Sequence, residues 1–155
     1  MSGSTALDGA TVLSFMIAGR QFAVEIGAVD QILEYRPPMP TPRRPPYVEG
    51  ILEHRGRYVP VLSLRKRLGV AEAPVSPSAI VLLQGIGSDP VVGLVVDQVL
   101  RIQRLPREGV LAPPPRVFGI RAEFIRGVAN ASGRPVVWLD EAKLLASSEP
   151  ITLLA

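Results

Sequence analysis

Few residues in this chain could carry out covalent chemistry. Of 155 residues, one is histidine and none is cysteine. A thiolate nucleophile, a Cys/His zinc set and a His-based triad therefore all lack parts. His54 lies in Glu53-His54-Arg55-Gly56-Arg57, a stretch of turn composition, where a lone imidazole reads as a solvated turn residue. Asp30 and Asp97 could be pictured as a carboxylate pair for acid–base work. Both follow an apolar run, however, where an Asp ends a strand or caps a turn, and nothing nearby positions a substrate. Gly85, Gly87 and Gly93 do not make a phosphate loop, because no Gly-Lys-Ser/Thr follows and no long helix opens there. No cofactor or metal motif remains. The chemistry left to the chain is binding, and the expectation is a protein that is not an enzyme.

Charge narrows the partner. Basic residues number 17 against 14 acidic, a formal net charge of +3. Nearly all the basic residues are Arg, whose planar fork suits carboxylates at protein interfaces. Arg43-Arg44, Arg55, Arg57 and Arg65-Lys66-Arg67 raise the alternative of a small basic barrel that binds RNA or DNA. Single-strand binding also needs exposed aromatic platforms. Aromatics are 5% of the chain and fall where strands point them inward. Nucleic acid is thus not the expected partner, and the run 65–67 serves equally well as a solvated helix face. No apolar run reaches the roughly 20 residues that cross a bilayer, so direct membrane insertion is not expected. MSGSTALDGA lacks the basic-then-apolar order of a signal peptide. Residues 1–10 read as a flexible lead-in and 146–155 as a tail, and the absence of cysteine fits the cytoplasm.

The elements that must carry the binding surfaces are written twice. Val29–Leu33 is VDQIL and Val96–Leu100 is VDQVL. Each block leads to a proline crossing, PPMPTPRRPP at 37–46 and PPP at 113–115. These read as stiff connections rather than as ligands for a partner domain. Each crossing leads to a glycine-bounded segment, GILEHRGRYVPVLSL from Gly50 and GVANASGRPVVWLD from Gly127. Short Val/Ile/Leu/aromatic runs separated by Gly, Pro or Asp predict strands at 11–18, 21–26, 28–35, 49–54, 57–62, 78–85, 91–97, 98–104, 124–131 and 134–139. That is five per half, the number expected of small closed sheets. The fold class is all-β: two five-stranded, SH3-like barrel lobes in pseudo-two-fold repeat within one domain at 11–145. The lobes span about 11–76 and 77–145, and spacing leaves open which lobe the first strand joins. Ala18-Gly19-Arg20 predicts a hairpin turn, with 85–90 as its looser counterpart. Arg55-Gly56 and Ser132-Gly133 predict hairpin tips. Pro60 predicts an edge strand or a bulge. Ser63 and Asp140 are N-cap types for a short helix after each unit, the first stopped by Gly69.

In this order the residues resemble the CheW family, adaptors of bacterial chemotaxis. The likeness runs through Phe15…Gly19-Arg20-Gln21-Phe22-Ala23-Val24, Ile26-x-x-Val29, Pro42-x-x-Pro45…Val48-x-Gly50-Ile51 and Arg55-Gly56…Val59-Pro60-Val61-x-x-Leu64-Arg65. It continues through Leu68-Gly69, Val92–Asp97-x-Val99, Phe124-Ile125-x-Gly127-Val128, Gly133-Arg134 and Leu139-Asp140. The resemblance implies a cytoplasmic, non-catalytic scaffold that joins the hairpin of a methyl-accepting chemoreceptor to the regulatory domain of a CheA-type histidine kinase. It implies a receptor groove lined by Ile26, Val29, Val96 and Val99, and kinase or signalling contacts at Arg55, Gly56, Arg57, Gly133 and Arg134. Gly50 and Gly127 are expected to allow close backbone approach. Three departures stand out. The family commonly has Asn-Leu where this chain has Glu53-His54, Glu where it has Gln31, and Asp where it has Ser63. The first two bear on partner identity. The third is harmless, because Ser caps as Asp does.

Overall fold

The computed structural model describes residues 10–42, 44–70, 76–85, 91–105, 110–111, 116–117 and 119–146. Arg43, most of the turn expected at 85–90, the prolines 113–115 and the two chain ends fall outside them.

The apolar runs become strands in chain order: β1 (Ala10–Ile17), β2 (Arg20–Glu25), β3 (Val29–Glu34), β4 (Val48–His54), β5 (Arg57–Ser63), β6 (Ala79–Leu83), β7 (Val92–Val96), β8 (Gln98–Leu105), β9 (Val110–Leu111), β10 (Arg116–Val117), β11 (Ile120–Arg121), β12 (Ile125–Ala131) and β13 (Arg134–Leu139). Helices α1 (Leu64–Leu68) and α2 (Glu141–Leu145) follow β5 and β13. The ten long strands lie within two residues of the predicted runs, while β9, β10 and β11 had no strand signal. Three hairpins close through two-residue turns whose first residue is not glycine: Ala18-Gly19, Arg55-Gly56 and Ser132-Gly133, all six residues at φ between 53° and 81°. Two consecutive positive φ values match the twist of the flanking strands, which is why Gly recurs at the second place.

Eleven of the strands form two sheets, ordered β3-β6-β7-β5-β4 and β8-β1-β2-β13-β12-β9, and β10 and β11 pair as a separate two-stranded sheet. A division of the chain at 76/77 does not divide these sheets. The first takes residues 29–96 without interruption, and the second is built from 10–25 together with 98–139. The hairpin β1–β2 pairs with β8 on one side and, in parallel, with β13 on the other. One lobe is therefore inserted in the other, and we call them the inserted and the bracketing lobe. In terms of the repeat, each half donates its first hairpin to the other half's sheet.

The VDQ blocks mark the two places where the chain changes sheet. The 3-10 turn Ile26–Ala28 hands β2 over to β3, and Asp97 alone separates β7 from β8. The two crossings lie at opposite ends of β6, since Val29 is opposite Leu83 and Val96 is opposite Ala79.

Burial explains why both sheets read as nearly continuous apolar runs. One face of each contributes to a shared core that includes Phe15, Phe22 and Val137 from the bracketing lobe with Leu62, Val81 and Leu94 from the inserted one. The opposite faces curl over two smaller cores. Val12, Ala23, Leu105, Ala129, Val136 and Trp138 fill the first, and Leu52, Val59, Val61, Ile80 and Leu82 the second. Pro60 is not on an edge: β5 lies between β7 and β4. Its parallel pairing with β7 begins only at Val61, so the missing N–H falls ahead of the ladder.

Candidate functional site: the lobe boundary and the hairpin tips

The groove positions separate on burial. Ile26, Val29 and Val99 are half-buried and packed against the rim of the shared core. Val96 is 0% exposed and belongs to the core itself, which corrects its assignment to the groove wall. Alternation is the reason: Val96 pairs with Ala79, and both point into the shared core. An exposed apolar residue that the sequence reading did not single out is Ile32, 43% exposed on the edge strand β3. It is the fourth residue of VDQIL, as Val99 is of VDQVL, so superposing the repeats would have found it. Met39, Tyr58 and Ile102 are further exposed apolar side chains.

Asp97 does not meet Asp30, which is exposed at the other crossing. Its Oδ2 accepts from Ala18 N at 2.8 Å and from Arg65 Nη2 at 3.1 Å. Its carbonyl accepts from Ser78 Oγ at 2.7 Å, and its N–H donates to Met16 O at 3.1 Å. One residue thus ties the β1–β2 turn, α1 and the start of β6 to the second crossing. The Asp97–Arg65 pair is mostly enclosed, with side chains 14% and 15% exposed.

Arg55, Gly56, Arg57, Gly133 and Arg134 stand exposed at the two tips. In the inserted lobe Arg36 Nη2 donates to Glu53 O at 2.8 Å, and His54 Nε2 lies 3.1 Å from Gln31 Oε1. The two partner-surface departures from the family pattern therefore touch each other. In the bracketing lobe Asn130 Oδ1 accepts from Gly133 N at 3.0 Å.

The supporting residues repeat as well. Gly50 and Gly127 are both buried beside a register shift, in β4 and β12 respectively. Gly50 has φ +149°, and a Cβ there would lie 2.1 Å from Met39 O. The proline crossing comes this close because Met39 and Ile51 exchange two backbone hydrogen bonds of 2.8 Å. Ser63 Oγ accepts from Lys66 N and Asp140 Oδ1 from Lys143 N, each at 3.2 Å, capping α1 and α2.

The run 65–67 is divided among three tasks. Arg65 holds Asp97, and Lys66 Nζ pairs with Glu49 at 3.1 Å. Arg67 reaches across the lobe boundary. Its Nε donates to Leu144 O at 3.0 Å and its Nη2 to Ala146 O and, at 3.4 Å, to Lys143 O. Its guanidinium lies 4.6 Å from the Tyr47 ring centroid and 4.9 Å from that of Phe124. A cation from α1 thus seals the C-terminal end of α2. Glu141, buried at the other end of α2, accepts from Glu25 N at 2.7 Å and from Arg126 Nη2 at 3.2 Å.

His54 has an amide partner, and among the described residues no group of three or more His, Cys, Asp or Glu could hold a metal. No described helix is long and apolar enough to cross a membrane. What the geometry offers is surface.

A family model for the CheW-like domain matches residues 11–149. A protein named chemotaxis protein CheW from Treponema pallidum is 29% identical over 143 residues, 89% of this chain and 83% of its own length. Protein FrzA of Myxococcus xanthus is 37% identical over 111 residues, 70% of this chain and 68% of its own. The crystal structure of the scaffolding protein TtCheW from Thermoanaerobacter tengcongensis shares the fold, with a TM-score of 0.82 at 24% identity and 94% of each chain covered.

Proposed function

The chain belongs to the CheW-like domain family of chemotaxis scaffolds, and we propose that it couples chemoreceptors to a CheA-type histidine kinase in the cytoplasm. As a member of that family it is a non-catalytic scaffold. The receptor hairpin would lie along the lobe boundary against Ile26, Val29, Val99 and Ile32. The regulatory domain of the kinase would meet the tips at Arg55, Gly56, Arg57, Gly133 and Arg134. The observation that carries this reading is the family match across 11–149. Half-buried branched residues at the rim of the shared core agree with it, since a helix stripe buries against such a row. Gln31 and His54 form one contact, so these two departures meet at a single patch.

The test is calorimetry with the regulatory domain of a histidine kinase encoded nearby, followed by a receptor-hairpin fragment. Saturable one-to-one binding of both supports the reading. Val29→Asp should weaken the receptor contact at least about tenfold, because a carboxylate would be buried unpaired, while leaving kinase binding intact. A folded variant that keeps both contacts unchanged would overturn the groove assignment. Failure of every such kinase domain to bind, with salt-sensitive retention on nucleic acid, would overturn the function.

A further inference from the structure

Apart from Arg134, the open end of the bracketing lobe has no assigned role. Residues of one face can be followed along each strand from the small core outward: Val12, Ser14, Met16 on β1; Ala23, Gln21 on β2; Leu105, Gln103, Arg101 on β8; Ala129, Ala131 on β12; Val136, Arg134 on β13. Val12, Ala23, Leu105, Ala129 and Val136 belong to the core, and Met16, Gln21, Arg101, Gln103, Ala131 and Arg134 line a concavity that draws on all five long strands. Arg101, Arg104 and Arg134 line it with Gln21, Gln98 and Gln103, and no carboxylate is among its described lining residues. Ser14, fully buried, shares its one hydroxyl hydrogen between Arg101 O at 3.0 Å and Gln103 Oε1 at 3.1 Å, and Arg101 Nη1 donates to that same Oε1 at 3.2 Å. This network fixes the β8 wall.

The internal repeat supplies the control. Gln98 of the bracketing lobe corresponds to Gln31 of the inserted one, and Ala131 to His54. In the inserted lobe the His54–Gln31 contact spans from β4 to β3, the two outer strands of its sheet, and fastens that end. In the bracketing lobe the methyl of Ala131 offers Gln98 no such partner, and Arg101, opposite Ser14, stands on the face that apolar Leu33 takes in the inserted lobe. The same architecture is thus tied at one end and left open and basic at the other. β8 is also an edge strand, with β1 as its one described neighbour, and it carries Ile102 at 62% exposure.

We propose that this basic end is a docking site for an extended acidic segment of a partner protein. The segment would lie along the free edge of β8, with its carboxylates on Arg101, Arg104 and Arg134. An edge strand supplies backbone pairing to an extended chain, and guanidinium forks supply paired donors to carboxylates. The site shares Arg134 with the positions given to the kinase, and β8 also carries Val99 of the receptor groove, but Arg101 and Arg104, on which the test turns, were given to neither partner, so the proposal stands or falls apart from the adaptor reading.

The test follows the amide resonances of the full chain by NMR during titration with a short peptide of alternating glutamate and valine at low salt. The expected result is saturable shifts at 98–105 and 130–134. Affinity should fall at least about tenfold in the Arg101→Glu/Arg104→Glu variant and be unchanged in Arg55→Glu/Arg57→Glu. Both altered pairs are exposed, and dispersed spectra would confirm that each variant folds. Any of three results overturns the proposal: equal binding of the glutamine counterpart of the peptide, equal binding by both variants, or equal or tighter binding of pyrophosphate or single-stranded DNA at the same amides.

Discussion

Replacing Arg67 by Ala should loosen the lobe boundary more than an ordinary surface change does. Charge-assisted bonds to the carbonyls of Leu144 and Ala146 at the C-terminal end of α2 are lost, together with stacking on Tyr47 and Phe124. A hydrogen bond to a charged group contributes about 1.5–3 kcal/mol when enclosed, and a stacked cation about 0.5–1. Arg67 is only half-buried, and water can reach some of the freed carbonyls, so the sum of the lower ends, about 3.5 kcal/mol, is a ceiling. The 3.4 Å contact to Lys143 O adds little. The expected loss is about 2–3 kcal/mol, or roughly 5–10 °C in Tm for a chain of this size. Urea unfolding followed by tryptophan fluorescence would read it, since Trp138 lies in the small core of the bracketing lobe. Arg67→Lys should recover less than half, because an ammonium cannot serve two carbonyls as a fork does. Lys66→Ala, which breaks only the more exposed pair with Glu49, should cost under about 0.5 kcal/mol. A loss at Arg67 no larger than at Lys66 would refute the assignment of Arg67 as a clasp between the helices.

Other outcomes follow from the same geometry. Gly50→Ala should cost more than about 3 kcal/mol, because its Cβ meets the Met39 carbonyl, whereas Gly56→Ala, with open space around it, should cost about 1–2 from its positive φ alone; equal losses by chemical denaturation would contradict the close approach. Asp97→Ala should lose about 2–3 kcal/mol and Asp97→Asn about 1, since the amide keeps an acceptor for Ala18 N while giving up the ion pair with Arg65. Indistinguishable melting curves for the two variants would remove the ion pair from the account. Ser63→Ala and Asp140→Ala should each cost about 1 kcal/mol, and hydrogen exchange should show the loss first in α1 and α2 respectively.

The strands were legible because their signals are local. Alternating and continuous apolar runs, bounded by residue-plus-glycine turns, placed the ten long strands closely. Which strands pair was not legible. The repeat looks the same whether β1–β2 stays with its own half or crosses to the other, and the deciding contacts, such as Ser14 to Arg101, are 87 residues apart. Val96 and Val99 illustrate the same limit. Both are valines of the one VDQVL block, and only the sheet hand-over at Asp97 makes one core and the other rim. The charge run 65–67 showed a basic helix face, but the separate targets of its three side chains lie on elements brought together only by the fold.

The bracketing of one lobe by the other also has a consequence for synthesis. On the ribosome β1 and β2 emerge first, yet β8 and β13, the strands that flank them, are made after the whole inserted lobe. A lone hairpin is marginal in water. The inserted lobe can close while that hairpin still waits with both edges bare, so the first strands translated are the last to find their neighbours. In that interval a second nascent copy could offer the same edges, making an exchanged dimer the characteristic error of this topology when synthesis is crowded.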